Sequence, residues 1–287
     1  MVTFLFSEVV RLFRTCIFVF VFVFAFAFSL LAQTSSASSN PSVQSHSPIS
    51  QNELKTSVDE IDQLLKAGSW LEAKSRYRSL IQYDLPEADR KSLQKALEDL
   101  NIKILFSLTP TPDSFFYTVQ RGDALFKLAK KYNTTVELIK KSNHLENDSI
   151  RTGMKLKISK AVYSILVDTS EITLQLFSDK ELLKTYPVAT GREGHPTPVG
   201  SFTIVNKLIN PTWYKAGAVV APDSPINILG TRWLGFSLPG YGIHGTTLPE
   251  TIGTAASEGC VRMFNKDVEE LYAIVPTNTT VIIVDHR

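Results

Sequence analysis

The sequence predicts a multidomain α+β protein. Its parts are an N-terminal helical segment, a small βααβ module and a mostly-β C-terminal domain of sandwich or barrel type. Three observations predict this. Residues 51–108 repeat apolar positions at three- and four-residue spacing. Residues 161–287 carry many short alternating or apolar runs, separated by Gly, Pro, Asp and Asn. Between the two lies a proline break, "TPTPD", and a 45-residue unit with its own strand and helix signals. A chain of 287 residues has room for two or three small domains. A net charge of +2 without a long basic block gives no footprint for nucleic acid.

Residues 1–32 read as a signal peptide or a signal anchor. Arg11 and Arg14 precede an uncharged run, Cys16 to Ala32. The run is a little short for a span of about 20 residues, and small residues at Leu30–Ala32 and Ser35–Ala37 offer cleavage sites. In either case the chain is exported, to a periplasm or cell envelope, and meets a membrane only through this segment if it stays uncleaved. Residues 33–50, rich in Ser, Pro, Gln and Asn, form a flexible linker.

Three helices follow in residues 51–108. Leu54, Val58, Ile61, Leu64 and Leu65 make one apolar face. Ala67–Trp70 is a turn. Leu71, Ala73, Tyr77, Leu80 and Ile81 belong to a second helix, and Pro86 opens a third with Leu93, Ala96, Leu97 and Leu100. The stretch resembles a single tetratricopeptide-type helix pair, and a lone unit of that kind reads as a helical spacer or docking bundle.

Residues 115–159 run strand, helix, helix, strand. Asp123 is placed to cap a helix holding Leu125, Leu128 and Ala129, and Asn133 or Thr134 to cap the next. Leu156 and Ile158 share one face of the closing strand. Across "YTVQRGD", Leu-x-x-Leu-Ala, "TVELIKKSN" and "MKLKI", the segment resembles a LysM domain. That resemblance implies binding of N-acetylglucosamine-containing glycan strands, in a groove between Gly122–Ala124 and the Asn143–Ile150 loop. Gly122, Asp123 and Asn143 are the contacts it implies. Ala124 stands where the family usually has Thr or Ser, which removes one hydroxyl.

In residues 161–287 the runs "AVYSILVD", "ITLQLFS", "LLKTYPVAT", "GSFTIV" and "TVIIVD" are strands. A helix, "VEELYAIV", is capped by Asn265 or Asp267 and ends before Pro276. Chemistry centres on two residues. The chain has two cysteines, and Cys16 departs with a cleaved signal. Cys260 is then an isolated thiol in an exported chain, which points to a reactive group or an intermolecular bridge. His244 ends the strand "GYGIH", and a loop joins it to Cys260. A Cys–His pair generates a thiolate nucleophile. Glycines around the thiol permit unusual dihedrals, and the N–H groups of Gly259 and Cys260 can meet an oxyanion. Arg262 shares a face with Cys260 in extended backbone and suits a carboxylate, or a structural ion pair. Ser257 donates into the site or caps a turn. Read singly, His244 is also a structural histidine and Cys260 a small buried hydrophobe. Two soft ligands are too few for zinc.

The combination is more specific. "IHGTTLPETIGTAASEGCVRMFNKDV" resembles the signature of the L,D-transpeptidase, or YkuD, catalytic domain: His-Gly, a spacer, then Ser-x-Gly-Cys-hydrophobic-Arg-hydrophobic-x-Asn. "PVATGREGHPTPVGSFTIVNK" and "LGTRWLGFSLPGYGIHGT" extend the similarity upstream. The resemblance implies Cys260 as nucleophile, His244 as base, the Gly245 carbonyl orienting the imidazole, and Gly259 in the oxyanion hole. Ser257 and Arg262 support the site, and Arg262 and Tyr241 contact substrate. Glu258 departs from the pattern, which has His there; an inward carboxylate opposes thiolate formation. The implied substrates are peptidoglycan stem peptides, cross-linked by two-step acyl transfer without cofactor or metal. Water as acceptor gives an L,D-carboxypeptidase, a protein acceptor gives a protein-to-wall linking enzyme, and a disabled site gives a noncatalytic wall-binding protein.

Overall fold

The computed structural model describes residues 48–215 and 217–286. The expected signal segment and all but the last residues of the linker lie outside the described residues. No helix among the described residues is long and apolar enough to cross a membrane.

The helical segment starts where a capping box forms. Ser50 Oγ accepts from the Glu53 N–H at 3.3 Å, and Glu53 accepts from the Ser50 N–H at 3.0 Å. This opens α1, Gln51–Lys66. Gly68, at φ +76°, turns the chain into α2, Trp70–Ile81. Pro86 precedes α3, Glu87–Leu105. Leu54, Ile61, Ala73, Leu80, Leu93 and Leu97 form the core of this bundle.

The small module pairs β1, Ser114–Thr118, antiparallel with β2, Lys155–Ser159. Between them lie α4, Leu125–Lys131, and α5, Val136–Ser142. Leu125, Leu128, Ile139, Leu156 and Ile158 fill its core. The capping residues differ from expectation. Asp123 does not cap α4; its carboxylate turns back to the Gln120 N–H at 2.7 Å and the Tyr117 hydroxyl at 2.8 Å. Those contacts lower the acid's pKa from its ordinary value. Helix α5 is capped by Thr135, whose Oγ1 accepts from the Leu138 N–H at 2.8 Å, and not by Asn133 or Thr134.

The C-terminal region contains β3 (Tyr163–Asp168), β4 (Thr173–Ser178), β5 (Glu181–Pro187), β6 (Thr190–Gly191) and β7 (Gly200–Ile209). A hairpin of β8, Trp213–Lys215, and β9, Ala218–Val220, follows. Then come β10 (Arg232–Phe236), β11 (Gly242–His244), β12 (Ala255–Ser257), β13 (Val261–Arg262), α6 (Asn265–Ile274) and β14 (Thr280–Val284). Eight strands form one mixed sheet in the order β13-β11-β10-β7-β14-β3-β4-β5. The sheet curls into a half-barrel. Its far ends approach at an antiparallel bridge between Ala189 and Arg262, which exchange backbone hydrogen bonds of 2.8 and 2.9 Å. Helix α6 packs its apolar side, Val268, Leu271 and Ile274, into the core.

The helical segment covers the exposed side of β5, the edge strand of that sheet. Asn101 Nδ2 donates to the Leu183 carbonyl at 3.1 Å, and Thr185 Oγ1 donates to the buried Glu98 carboxylate at 3.0 Å. Lys74 and Arg78 both reach Glu181 at 3.0 Å. An uncovered edge strand invites pairing with other chains, and α3 prevents it here. The small module is joined as firmly. Buried Lys157 donates to the Ile104 carbonyl near the end of α3 (3.0 Å) and to the Ser107 carbonyl just beyond it (2.8 Å), and burial lowers its pKa to about 8. Ser142 Oγ donates to the Leu105 carbonyl at 2.7 Å, and Thr135 Oγ1 to the Ala273 carbonyl. Ile102, Leu105 and Leu138 enter the same apolar cluster as the half-barrel.

Candidate active site

The site forms at the curled end of the sheet, where β11 runs parallel to β13. Ile243 pairs with Val261 and His244 with Arg262. That register brings His244, the end of the "GIH" strand, beside Arg262, two residues after the thiol. His244, Ser257, Cys260 and Arg262 line one cavity of about 390 Å³. Leu208, Trp213, Tyr214 and Trp233 also line it. A larger cavity, about 790 Å³, lies between α3 and the β5–α6 surface and contains no thiol or imidazole.

His244 is buried, and its Nδ1 lies 2.6 Å from the Gly245 carbonyl. A carbonyl only accepts, so Nδ1 carries the proton and Nε2 is left with a lone pair. Burial pushes the imidazole pKa down to about 4; the carbonyl opposes that shift, and the Arg262 charge adds to it. The indole of Trp233 stacks on the ring at 5.9 Å. Cys260 is half-buried, with Sγ 3.6 Å from the Gly240 carbonyl. Burial pushes the thiol pKa up, against the pull of the Gly242 amide and Arg262. At neutral pH the resting pair is therefore thiol and neutral imidazole.

The loop before the thiol is shaped by Ser257. Its buried hydroxyl donates to the Cys260 carbonyl at 2.5 Å and accepts from the Gly259 N–H at 3.1 Å. Gly259 adopts φ +109°, a conformation that excludes a Cβ. A Cβ there would lie 2.8 Å from the Tyr241 ring. Arg262 is 6% exposed, and its Nε has no hydrogen-bond partner among the described residues. A cation this buried calls for an anionic partner.

This arrangement of cysteine, neutral histidine and buried arginine around one cleft agrees with the sequence comparisons. Residues 162–283 match the family model of the L,D-transpeptidase catalytic domain, and residues 117–159 match that of the LysM domain. A putative L,D-transpeptidase, YkuD, of Bacillus licheniformis is 37% identical over 174 residues, 58% of this chain and 97% of that protein. The chain belongs to the L,D-transpeptidase family. YqjB of Bacillus subtilis, a putative L,D-transpeptidase, is 37% identical over 126 residues, covering 42% of this chain and 70% of its own. A solved L,D-transpeptidase from Stackebrandtia nassauensis is 26% identical, over 45% of this chain and 58% of that one, at a TM-score of 0.37.

Within this L,D-transpeptidase several expected residues sit differently from their anticipated roles. The Gly259 N–H is spent on Ser257, so it does not point to an oxyanion. Tyr241 packs against the core and Gly259 and is not among the cavity-lining residues. Glu258 also lines the cavity, but its side chain is 61% exposed and its carboxylate pairs with Arg192 at 2.9 Å and His195 at 3.3 Å. Asn265 does not cap α6. Its Oδ1 accepts from the Thr231 and Thr246 N–H groups at 3.2 and 3.1 Å, and its Nδ2 donates to the Thr246 carbonyl at 3.0 Å. It thereby holds the Gly245–Thr246 turn that orients His244. A Cβ at Gly245 would sit 2.1 Å from the same Oδ1, which explains the glycine. In the LysM module, Gly122 turns the chain at φ +88°. Asn143 Nδ2 donates to Ile139 and Lys157 carbonyls, both at 2.8 Å, and its Oδ1 accepts from the Lys157 N–H at 2.7 Å. Asn143 therefore clasps β2 and does not present its amide to a ligand. The sequence reading missed Trp233 and the Asn265 clasp. The signal available was the tryptophan's place in "TRWLGF" and the asparagine that closes the motif.

Proposed function

We propose that the protein is an exported peptidoglycan L,D-transpeptidase that forms cross-links by acyl transfer through Cys260, while its LysM module holds the glycan. The observation that carries this reading is the shared cavity of Cys260, His244 and Arg262, with His244 oriented by the Gly245 carbonyl. Because His244 is neutral, it takes the thiol proton on Nε2 as Sγ attacks the carbonyl carbon of the bond between stem residues three and four. The Cys260 N–H is the backbone donor for the resulting oxyanion, since the Gly259 N–H is engaged. Collapse breaks the C–N bond, and His244 returns its proton to the departing D-alanine amine. A thioester remains. A side-chain amine of a second stem then attacks the thioester, gives its proton to His244 and displaces the thiolate, which recovers that proton. Arg262 receives a substrate carboxylate. The N-terminal segment acts as the export signal, which places the enzyme in the periplasm or envelope.

Incubation with a tetrapeptide-stem muropeptide, followed by intact-mass spectrometry, tests this. The expected result is a thioester adduct on Cys260 together with a cross-linked dimer lacking one D-alanine. A trimmed monomer alone makes water the acceptor. No adduct on folded protein with a free thiol rejects acyl transfer.

A further inference from the structure

The indole of Trp233 occupies a place on the sheet that two glycines keep clear. On β10, Trp233 faces His244 of β11, and Gly235 faces Gly242 of the same strand. Gly235 also pairs with Asn206 of β7. Alternation along the strands puts Asn206, Trp233, Gly235, Gly242 and His244 on one face. Neither glycine has a positive φ, so the backbone does not require either. Space explains both. A Cβ at Gly242 would lie 2.8 Å from the indole ring. One at Gly235 would lie 2.5 Å from Asn206 Oδ1 and 2.8 Å from Trp233 Nε1. The same Nε1 donates to Asn206 Oδ1 at 3.0 Å. The indole is thus held at its nitrogen, while its ring stacks on the imidazole at 5.9 Å and 22°.

We infer that Trp233, held by Asn206, is a positioning residue for the general base: it fixes the plane of the His244 ring and favours the protonated ring while the thiol attacks. The Gly245 carbonyl engages only Nδ1. One hydrogen bond sets the tautomer but lets the ring tilt about it, and the stacked indole removes that freedom. The protonated ring is the state that needs support. Burial opposes its charge, the Gly245 carbonyl favours it, and Arg262 opposes it again. The negative face of an indole attracts a cation within about 6 Å. Other titratable groups line the cavity with His244. Cys260 supplies the proton, Glu258 pairs with Arg192 and His195, and Tyr214 is 77% exposed on the β8–β9 hairpin. Asn206 does not line the cavity, so its influence on the chemistry passes through the indole. This inference rests on the acyl-transfer reading of Cys260 and His244.

The test reads thiol reactivity without substrate, so contacts between Trp233 and a stem peptide do not enter. Iodoacetamide is added to the full chain, and peptide mapping gives the alkylation rate of Cys260 from acidic to alkaline pH. Sγ displaces iodide as His244 Nε2 takes the thiol proton. Wild type should show a neutral-pH limb that His244→Gln removes. Trp233→Leu should lower that limb about tenfold and leave the alkaline limb, where the thiol ionises unaided, unchanged. Trp233→Phe keeps an aromatic face and should retain most of the rate. Asn206→Leu changes an exposed residue and should lower the neutral limb about threefold, with kcat for stem peptides lowered alike and KM unchanged. A wild-type neutral limb in Trp233→Leu would overturn the inference and leave the acyl-transfer reading standing. An equal loss on both limbs would also overturn it, since Trp233 would then serve packing alone. Should Trp233→Leu fail to fold, Asn206→Leu decides, and a wild-type limb there overturns the inference. A neutral limb that survives His244→Gln would overturn the acyl-transfer reading together with the inference.

Discussion

The LysM module and the catalytic cleft were read from motifs of similar clarity, yet their polar residues behave in opposite ways. Asp123 and Asn143 satisfy themselves on backbone groups of their own module. In the cleft, the Arg262 Nε is buried without a hydrogen-bond partner among the described residues, and the Nδ1 bond to the Gly245 carbonyl leaves His244 Nε2 its lone pair. The difference teaches that a motif marks where a polar side chain is required, and leftover hydrogen-bonding capacity tells whether the requirement is for folding or for a ligand.

The largest effect should come from replacing the residue with the most open chemistry. Cys260→Ala is expected to reduce turnover by about 10⁴-fold or more, with an unchanged melting temperature. Release of D-alanine at the wild-type rate would break the contrast at its centre. Asn265→Leu removes two hydrogen bonds to the turn behind His244 and one to Thr231, and Asn265 does not line the cavity. It should lower kcat about a hundredfold, with KM little changed. An equal loss in a distant surface variant of matched stability would assign the effect to folding alone.

The pH dependence sharpens the comparison next. His244 has a folded pKa of about 4, below its unfolded value of 6.5. Between those values the unfolded chain binds the proton and the native state does not, so stability falls as pH drops from 6.5 to 4. The contribution is roughly 3 kcal/mol. Denaturant titrations should show a shallower slope in this window for His244→Gln than for wild type. Asn143→Ala should lose about 2 kcal/mol of stability, while the folded fraction keeps its glycan affinity. A pure affinity loss would restore Asn143 as a ligand residue. The smallest effect is expected from Glu258→His, which breaks an exposed ion pair and should change stability by less than about 1 kcal/mol. A large gain in turnover from that variant would show that the carboxylate does reach the thiol.

How much was legible follows from the range of each signal. Strands β3, β4, β7 and β14 were visible because they are long enough to show alternation or an apolar run. The two-residue β13 and the β8–β9 hairpin give no such pattern, and β10 is interrupted by Gly235. Helix starts were visible, but their caps were not: "NTT" offers three competent residues, and Thr135 prevails because its hydroxyl also meets Ala273. Cys260, His244 and Arg262 were readable from residue type and order. The occupation of the Gly259 N–H and the clasp by Asn265 depend on contacts that no local pattern encodes.

The cover that α3 lays over β5 has a consequence for how this protein can be shortened. A chain cut back to residue 161 keeps every catalytic residue, yet it strips Asn101 from the Leu183 carbonyl and Glu98 from Thr185. The bared strand becomes a docking line for a second copy, so the truncated enzyme should self-associate with rising concentration. Recombination that exchanged the catalytic half alone would inherit the same defect, so the front half and the back half have to travel together.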